Sequence, residues 1–239
     1  MMDLAEIWVY LARDPLAALT ATLLAWMAGL RLAALFRRHP AANPIIFAIA
    51  ILAGLLLAAG VDYRSYFQGA QFVHFLLGPA TVALAVPLYR QWGHVRASGP
   101  AALAAVLAGG TMAALAGIGF GVMFHAAPEV TASLAPRSVT TPVAMGIAEQ
   151  IGGLPGLAAT VVLASGVTGA MLGPMVLDLA RVRDWRARGL AMGTAAHGIG
   201  TARAISVNAT AAAFSGLAMG LNAMATALLL PLLWRLFMG

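Results

Sequence analysis

The chain has no cysteine and no lysine, and only 9% of its 239 residues are charged. Without cysteine, disulfides, thiol catalysis and cysteine-ligated metals are excluded. The shortage of charge excludes an ordinary soluble domain, in which about a quarter of the residues are charged. Because lysine is missing, all 14 basic residues are arginines, and the net charge is +6. In a soluble protein that balance would point to nucleic acid. Here the arginines gather in short loops between long uncharged runs, where they set orientation across a bilayer, and no nucleic-acid partner is expected. No His/Asp/Glu spacing suits a metal, and no nucleophile stands beside a base, so neither cofactor nor enzymatic activity is expected. Asp3, Glu6, Arg13 and Asp14 interrupt the N-terminal residues, so no cleaved signal peptide is expected either.

What the chain has in abundance is apolar length. Hydrophobic residues make up 62% of it, and windows 43–61, 65–89, 97–128, 150–177 and 204–234 carry no charged side chain. Each exceeds or approaches the roughly 20 residues that cross a hydrocarbon core. The fold class expected is all-α, a polytopic membrane protein with about 7–8 transmembrane helices, several of them broken. Residues 1–14 read as an amphipathic interfacial segment with Trp8 and Tyr10. Helices are expected at 15–36, 44–61, 100–124, 155–180 and 209–237. Gly78-Pro79 divides 67–90 into two half-helices, since proline lacks a backbone donor and glycine lowers the cost of a bend.

The polar stretch 128–153 stands apart from these runs. It places Glu129, Arg137, Ser138, Thr140, Thr141 and Glu149 in surroundings otherwise apolar enough for a bilayer. Pro136 and Pro142 bracket its centre and forbid a regular helix through it. Thr141-Pro142 reads as an N-cap with proline at the first helical position, and a helix start with free N–H groups favours a small anion. Irregular polar backbone survives at membrane depth only where protein buries it or a wet cavity lines it. A second irregular stretch, 189–206, has Gly193, Gly198 and Gly200, with breaks expected at Gly198 and Gly200 and Thr201 capping a second half-helix.

Charge sets the expected topology. With Arg31, Arg37, Arg38, Arg90 and Arg96 in the cytoplasm, a single crossing at 128–153 would put Arg181, Arg183, Arg186 and Arg188 outside, against the positive-inside rule. A re-entrant hairpin, or two short crossings, returns that cluster and Arg235 to the inside. Segments 44–124 and 155–237 each read as helix, broken helix, helix, compatible with an inverted repeat within one domain spanning 1–239.

Four phrases, LLGPATVALAVPLYRQ at 76–91, PEVTASLAPRSVTTPVAMGIAEQIGG at 128–153, RGLAMGTAAHGIGTARA at 188–204 and FSGLAMGLNAMATALLLPLL at 214–233, resemble the LrgB/CidB family of membrane proteins. They cover most of the chain from about residue 63 onward. The resemblance implies one of two roles. One is an antiholin-like regulator of murein hydrolase activity that works with a small LrgA/CidA-type membrane partner. The other follows the plastid relative, a glycolate/glycerate translocator, and would make the chain a secondary transporter of a small monocarboxylate such as glycolate, glycerate, lactate or pyruvate. The expected location is the bacterial inner membrane, and a homodimer is compatible by analogy.

Candidate site residues follow. Arg137 suits a substrate carboxylate through its forked donors, against the plainer reading of a surface arginine or a salt bridge to Glu129. Ser138, Thr140 and Thr141 suit the carboxylate or a substrate hydroxyl. Arg203, close to Thr201 in an uncharged segment, is expected to face a cavity or partner. His197 reads either as a substrate donor and proton carrier or as a packed, hydrogen-bonded core residue. Glu129 and Glu149 are proton-coupling candidates, and Asn222 reads as a contact across helices or to substrate. The pairs Gly169-x-x-x-Gly173 and Gly216-x-x-x-Gly220 read as packing devices.

Overall fold

The computed structural model describes residues 15–36, 44–71, 75, 83, 85–90 and 92–237, and its described elements are helices. The expected segment 1–14, Arg37, Arg38 and the expected break at Gly78-Pro79 lie outside the described residues. Backbone contacts divide the chain into two units, Met1–Ala83 and Leu84–Gly239.

Proline and left-handed caps punctuate both units. Pro15, Pro44, Pro128 and Pro155 each open a helix, where the missing N–H goes unused. At the other ends, Gly60 and Gly152 take φ of 65° and 81°, and His125 and Arg181 take 51° and 58° in the same role. In each case the next residue's N–H reaches back five positions, as from Val61 to the Leu56 carbonyl at 3.0 Å and from Val182 to Leu177 at 2.9 Å. That closing bond satisfies carbonyls that a helix end leaves bare. It also stops the second helix at Ala58, three residues short of the expected 61.

In the first unit, α1 (Pro15–Leu35) packs on α2 (Pro44–Ala58), and Gly29 allows the approach: a Cβ there would lie 2.5 Å from the Pro44 carbonyl oxygen. The short α3 (Tyr63–Gly69) is capped by Asp62, which accepts from Arg64 N at 2.9 Å and Ser65 N at 3.1 Å. It turns 117° from α2 and meets α1 through a 2.7 Å bond between Thr22 Oγ1 and the Tyr66 hydroxyl.

In the second unit, α4 (Ala85–Arg90) precedes the long α5 (Trp92–Met123). Pro100, expected to open that helix, lies inside it. Next come α6 (Pro128–Leu134) and α7 (Thr141–Gln150), then α8 (Pro155–Leu179), α9 (Trp185–Ile205) and α10 (Ala209–Phe237). Most buried apolar residues of this unit are alanines, as suits helices that gain little from exchanging lipid for each other and associate by close packing. The long helices keep large apolar side chains outward: Leu179 is 85% exposed and Leu228 67%. Four helices, Leu16–Leu35, Arg96–Met123, Pro155–Leu179 and Ala209–Leu236, are long and apolar enough to cross a bilayer, and the bent pair α2–α3 would make a fifth. This is a helical membrane protein, with fewer crossings among the described residues than the seven to eight expected. Much of the expected broken helix at 67–90 lies outside the described residues, and 185–205 turns back at a break at His197.

Candidate functional site

The first reversal joins α6 to α7 through residues 135–140. Proline breaks the helical ladder at Pro136, and the turn closes with Val139 N on the Pro136 carbonyl at 3.2 Å. At the open end, Leu154 N donates to Ser133 Oγ at 2.7 Å, while Ser133 Oγ donates to the Glu129 carbonyl at 2.7 Å. The two ends of the stretch are therefore pinned side by side. Its tip is buried: Ala135, Pro136, Ser138 and Val139 have lost nearly all exposure. The cap of α7 is Thr140, one residue earlier than expected, with φ −67° and ψ 150°, and its side chain makes no capping bond. Thr141 is the first helical residue. Proline at the second position leaves room for an ordinary extended cap before it.

The second reversal lies within α9. His197 has φ 40° and ψ −128°, a break in an otherwise helical run. A straight helix would separate Trp185 from Arg203 by about 27 Å at 1.5 Å per residue. Instead both line one cleft with Arg188, and Gly200 sits so close to the Met192 carbonyl that a Cβ could not fit. The arms thus fold against each other. The break falls at His197, one residue before the expected Gly198, and Gly200 serves close approach to Met192 and not reversal. Thr201 does not cap a second half-helix: its hydroxyl donates back to the His197 carbonyl at 2.8 Å and pairs with Ser215 Oγ at 2.9 Å.

Small residues seat this hairpin. Along α8, Gly166 faces the His197 ring, Gly169 faces Ala196 and Gly173 faces Met192 Sδ. Along α10, Gly189 and Gly193 lie on the Ala211 and Ser215 carbonyls. The expected packing role of Gly169 and Gly173 is met, whereas a Cβ on Gly220 would meet nothing.

The two tips converge near the middle of α5, α8 and α10. Asn222, 1% exposed, donates from Nδ2 to the Ser138 carbonyl at 3.0 Å and the Thr194 carbonyl at 3.3 Å, tying both hairpins to α10. The same Nδ2 lies 3.3 Å from Ser138 Oγ, and Thr226 Oγ1 donates to Asn222 Oδ1 at 3.4 Å. Gly110 of α5 leaves space for that Oδ1. On α8, Ser165 Oγ donates to the Arg137 carbonyl at 2.9 Å, and His197 Nε2 lies 3.0 Å from the Val162 carbonyl. Carbonyls freed by the first turn thus find side-chain donors, which an apolar interior requires.

Of the residues read from sequence, Arg137, Ser138, His197, Thr201 and Asn222 lie at or beside this junction. Arg137 is half-buried, and its Nε is buried with no hydrogen-bond partner among the described residues. No ion pair among the described residues joins it to Glu129, which is exposed, as is Glu149. Thr140 and Thr141 are half-buried at the start of α7. Arg203 is set apart, on the returning arm of α9 in the cleft with Arg188 and Trp185. Sequence reasoning missed Ser133, Ser165, Thr194 and Ser215, because a lone hydroxyl in an alanine-rich helix has no spacing signal. Asn208 was missed as well, although an Asn before an apolar run is a cap signal; its Oδ1 accepts from Thr210 N at 2.9 Å.

The ends of the unit differ in charge. Arg186 Nη1 lies 3.4 Å from Ser98 Oγ, so the base of the second hairpin and the start of α5 share the arginine-rich end. Trp234 packs against the apolar cluster to which the first hairpin contributes Ala132, Val139 and Ile151, so α10 finishes at the other end. Arg235 is therefore opposite the Arg181–Arg188 cluster, not beside it as expected, because α9 returns to its starting end instead of crossing.

These features define a helical membrane protein with two buried helical hairpins. The chain belongs to the LrgB-like family, whose model matches residues 22–236. The match extends well upstream of residue 63, where the recognisable phrases begin. It is 34% identical over 222 residues to an uncharacterized protein, YxaC, of Bacillus subtilis, covering 92% of this chain and 96% of that one. It is 36% identical over 191 residues to the uncharacterized YwbG of the same organism, covering 80% and 85%. Similarity to the holin-like protein CidB of Staphylococcus aureus is 30% identity over 199 residues, covering 83% of this chain and 87% of that one. No solved structure matches.

Proposed function

We propose that this chain is a holin-like membrane regulator of the CidB kind, acting in the bacterial cytoplasmic membrane with a small LrgA/CidA-type partner to tune murein hydrolase activity. The observation that carries this reading is the name borne by relatives at 30% identity across most of the chain. The test is the rate of autolysis in cells that express the chain with and without that partner. An unchanged rate in every combination sinks it.

One geometric observation favours a second reading, a secondary transporter of a small monocarboxylate. Two hairpins whose bases lie at opposite ends of one helical unit meet at a buried polar junction, a design suited to alternating access. In this reading the arginine-rich end is cytoplasmic, and α6–α7 is re-entrant from the outer side. The inverted pairing then runs between the two hairpins. Arg137, with an unpartnered Nε, meets the carboxylate beside Ser138 and Thr141. Proteoliposomes loaded with labelled glycolate, lactate or pyruvate separate the readings. A transporter shows counterflow that Arg137→Ala abolishes while the protein still assembles. A pure regulator shows no flux and keeps its effect on autolysis.

A further inference from the structure

The cleft at the base of the second hairpin lies apart from the polar junction, and none of the residues that form the junction lines it. It encloses about 100 Å³ between the end of α8, both arms of α9 and the start of α10, and its walls include Leu177, Trp185, Arg188, Arg203 and Val207. The two guanidinium groups in it are in different states. Arg188 is fully engaged: it pairs with Asp178 at 2.6 Å, donates to the Val182 carbonyl at 3.0 Å and lies over the Trp185 ring at 5.2 Å. Arg203 takes part in none of the ion pairs among the described residues. The nearby carboxylates are occupied, Asp178 by Arg188 and Asp184 by Arg186. A half-buried cation between apolar walls is costly without a counter-charge, and such charges face a partner or a cavity.

The surroundings say which kind of anion fits. Beside the cleft, Leu179, Ile205, Val207 and Trp185 turn apolar surface outward, with exposures of 85%, 51%, 49% and 41%. An aqueous anion gains nothing from that collar. An amphiphile gains on both counts, its phosphate against Arg203 and its chains along the collar. The cleft is too small for acyl chains, so they stay in the bilayer. Tryptophan beside arginine marks the depth of the headgroups, and basic pockets between helices at the cytoplasmic face suit anionic headgroups.

We propose that this cleft binds the phosphate headgroup of an anionic phospholipid through Arg203. The proposal needs only the arginine-rich end to be cytoplasmic, and it holds whether the chain regulates autolysis or carries a solute. A bound lipid bridges the returning arm of α9 to α10 and steadies the base of the hairpin whose tip enters the junction.

The full chain, purified in detergent, is titrated with phosphatidylglycerol, phosphatidylcholine or inorganic phosphate. Bound lipid is counted by native mass spectrometry, and the thermal unfolding midpoint is followed in parallel. Phosphatidylglycerol should bind and raise the midpoint, and the other two should not. Arg203→Gln should weaken that binding about fivefold, the worth of one arginine at an anionic surface, whereas Arg235→Gln at the opposite end should leave it unchanged. Should Arg203→Gln not fold, Val207→Asp places a carboxylate at the exposed rim and should weaken binding as well. Equal binding by wild type and both cleft variants overturns the proposal. So does an equal response to phosphatidylcholine, or to phosphate alone, which would make the site a free-anion site. Neither readout involves autolysis or flux, so failure here leaves the functional readings untouched.

Discussion

The two hairpins reverse the chain in opposite ways. In α6–α7 the reversal takes several residues, is bracketed by Pro136 and Pro142, and strands carbonyls that other helices must satisfy through Asn222 and Ser165. In α9 the reversal is concentrated at His197, with helical residues on both sides of it. The first hairpin depends on polar side chains reaching in from outside. The second depends on glycines that let backbones touch. The price of the first is buried polar partners; the second concentrates its cost in one strained residue and a set of positions that tolerate no side chain. Proline breaks a helix by removing a bond, so its neighbours need substitutes, whereas glycine permits close approach without removing any.

The largest effect should come from the glycine side. Gly193→Val places a side chain where the Ser215 carbonyl already lies, and should destabilise the fold by about 3 kcal/mol. Gly198→Ala, whose nearest neighbour is Met219 Sδ at 3.9 Å, should change stability by less than about 1 kcal/mol. Unfolding midpoints in detergent compare them; equal losses would break the claim that the arms are held by close approach.

Next is the polar side. Asn222→Leu leaves the Ser138 and Thr194 carbonyls without their donor and should cost about 2 kcal/mol, since an unsatisfied buried group loses its desolvation energy. Ser165→Ala removes a single donor to Arg137 and should cost about 1 kcal/mol. Hydrogen exchange should rise at 135–140 in both variants and stay unchanged at 185–190. Uniform loosening of both hairpins would mean that they form one cooperative body.

His197 offers a finer test. Both His197→Ala and His197→Gly lose the bond to the Val162 carbonyl, but only glycine relieves φ of 40°. The glycine variant should be more stable than the alanine variant by about 1 kcal/mol. The reverse order would mean that the turn is not strained.

The smallest effect lies at the exposed base. Asp184 caps α9 and pairs with Arg186, whose side-chain hydrogen bonds hold its carboxyl down to about 2 from the ordinary 3.8. A depressed carboxyl contributes stability above its unfolded value and loses it as pH falls through the folded one. The wild type should therefore lose a small increment between about pH 4 and 2 that Asp184→Asn lacks, small because solvent screens exposed pairs. Identical acid profiles would show that the cap adds nothing.

Much of the fold was legible in the chain. Long uncharged windows cover most of α5, α8 and α10 because a hydrocarbon core demands that length, and Pro15, Pro44 and Pro155 mark helix starts to the residue. The reversal at 128–153 was legible because two prolines around a polar core leave no regular alternative. The reversal at 185–205 was legible only as irregularity. Nothing local says that His197 takes the positive φ, since three glycines lie nearby and would do so at less cost.

Composition alone therefore settles that this chain is helical and belongs in a membrane, because neither property needs any residue to find a distant partner. Proline and glycine settle where several helices begin and where some end. Which polar residues share a site was decided by tertiary structure. Ser138, Thr194 and Asn222 meet from three separate segments, and Arg203 departs from the others because α9 folds back. Its return to the arginine-rich end also puts Arg235 at the far end. A reversal of that kind depends on glycines of α9 matching carbonyls on α10 and glycines of α8 admitting side chains of α9, and such complementarity exists only once the helices are side by side.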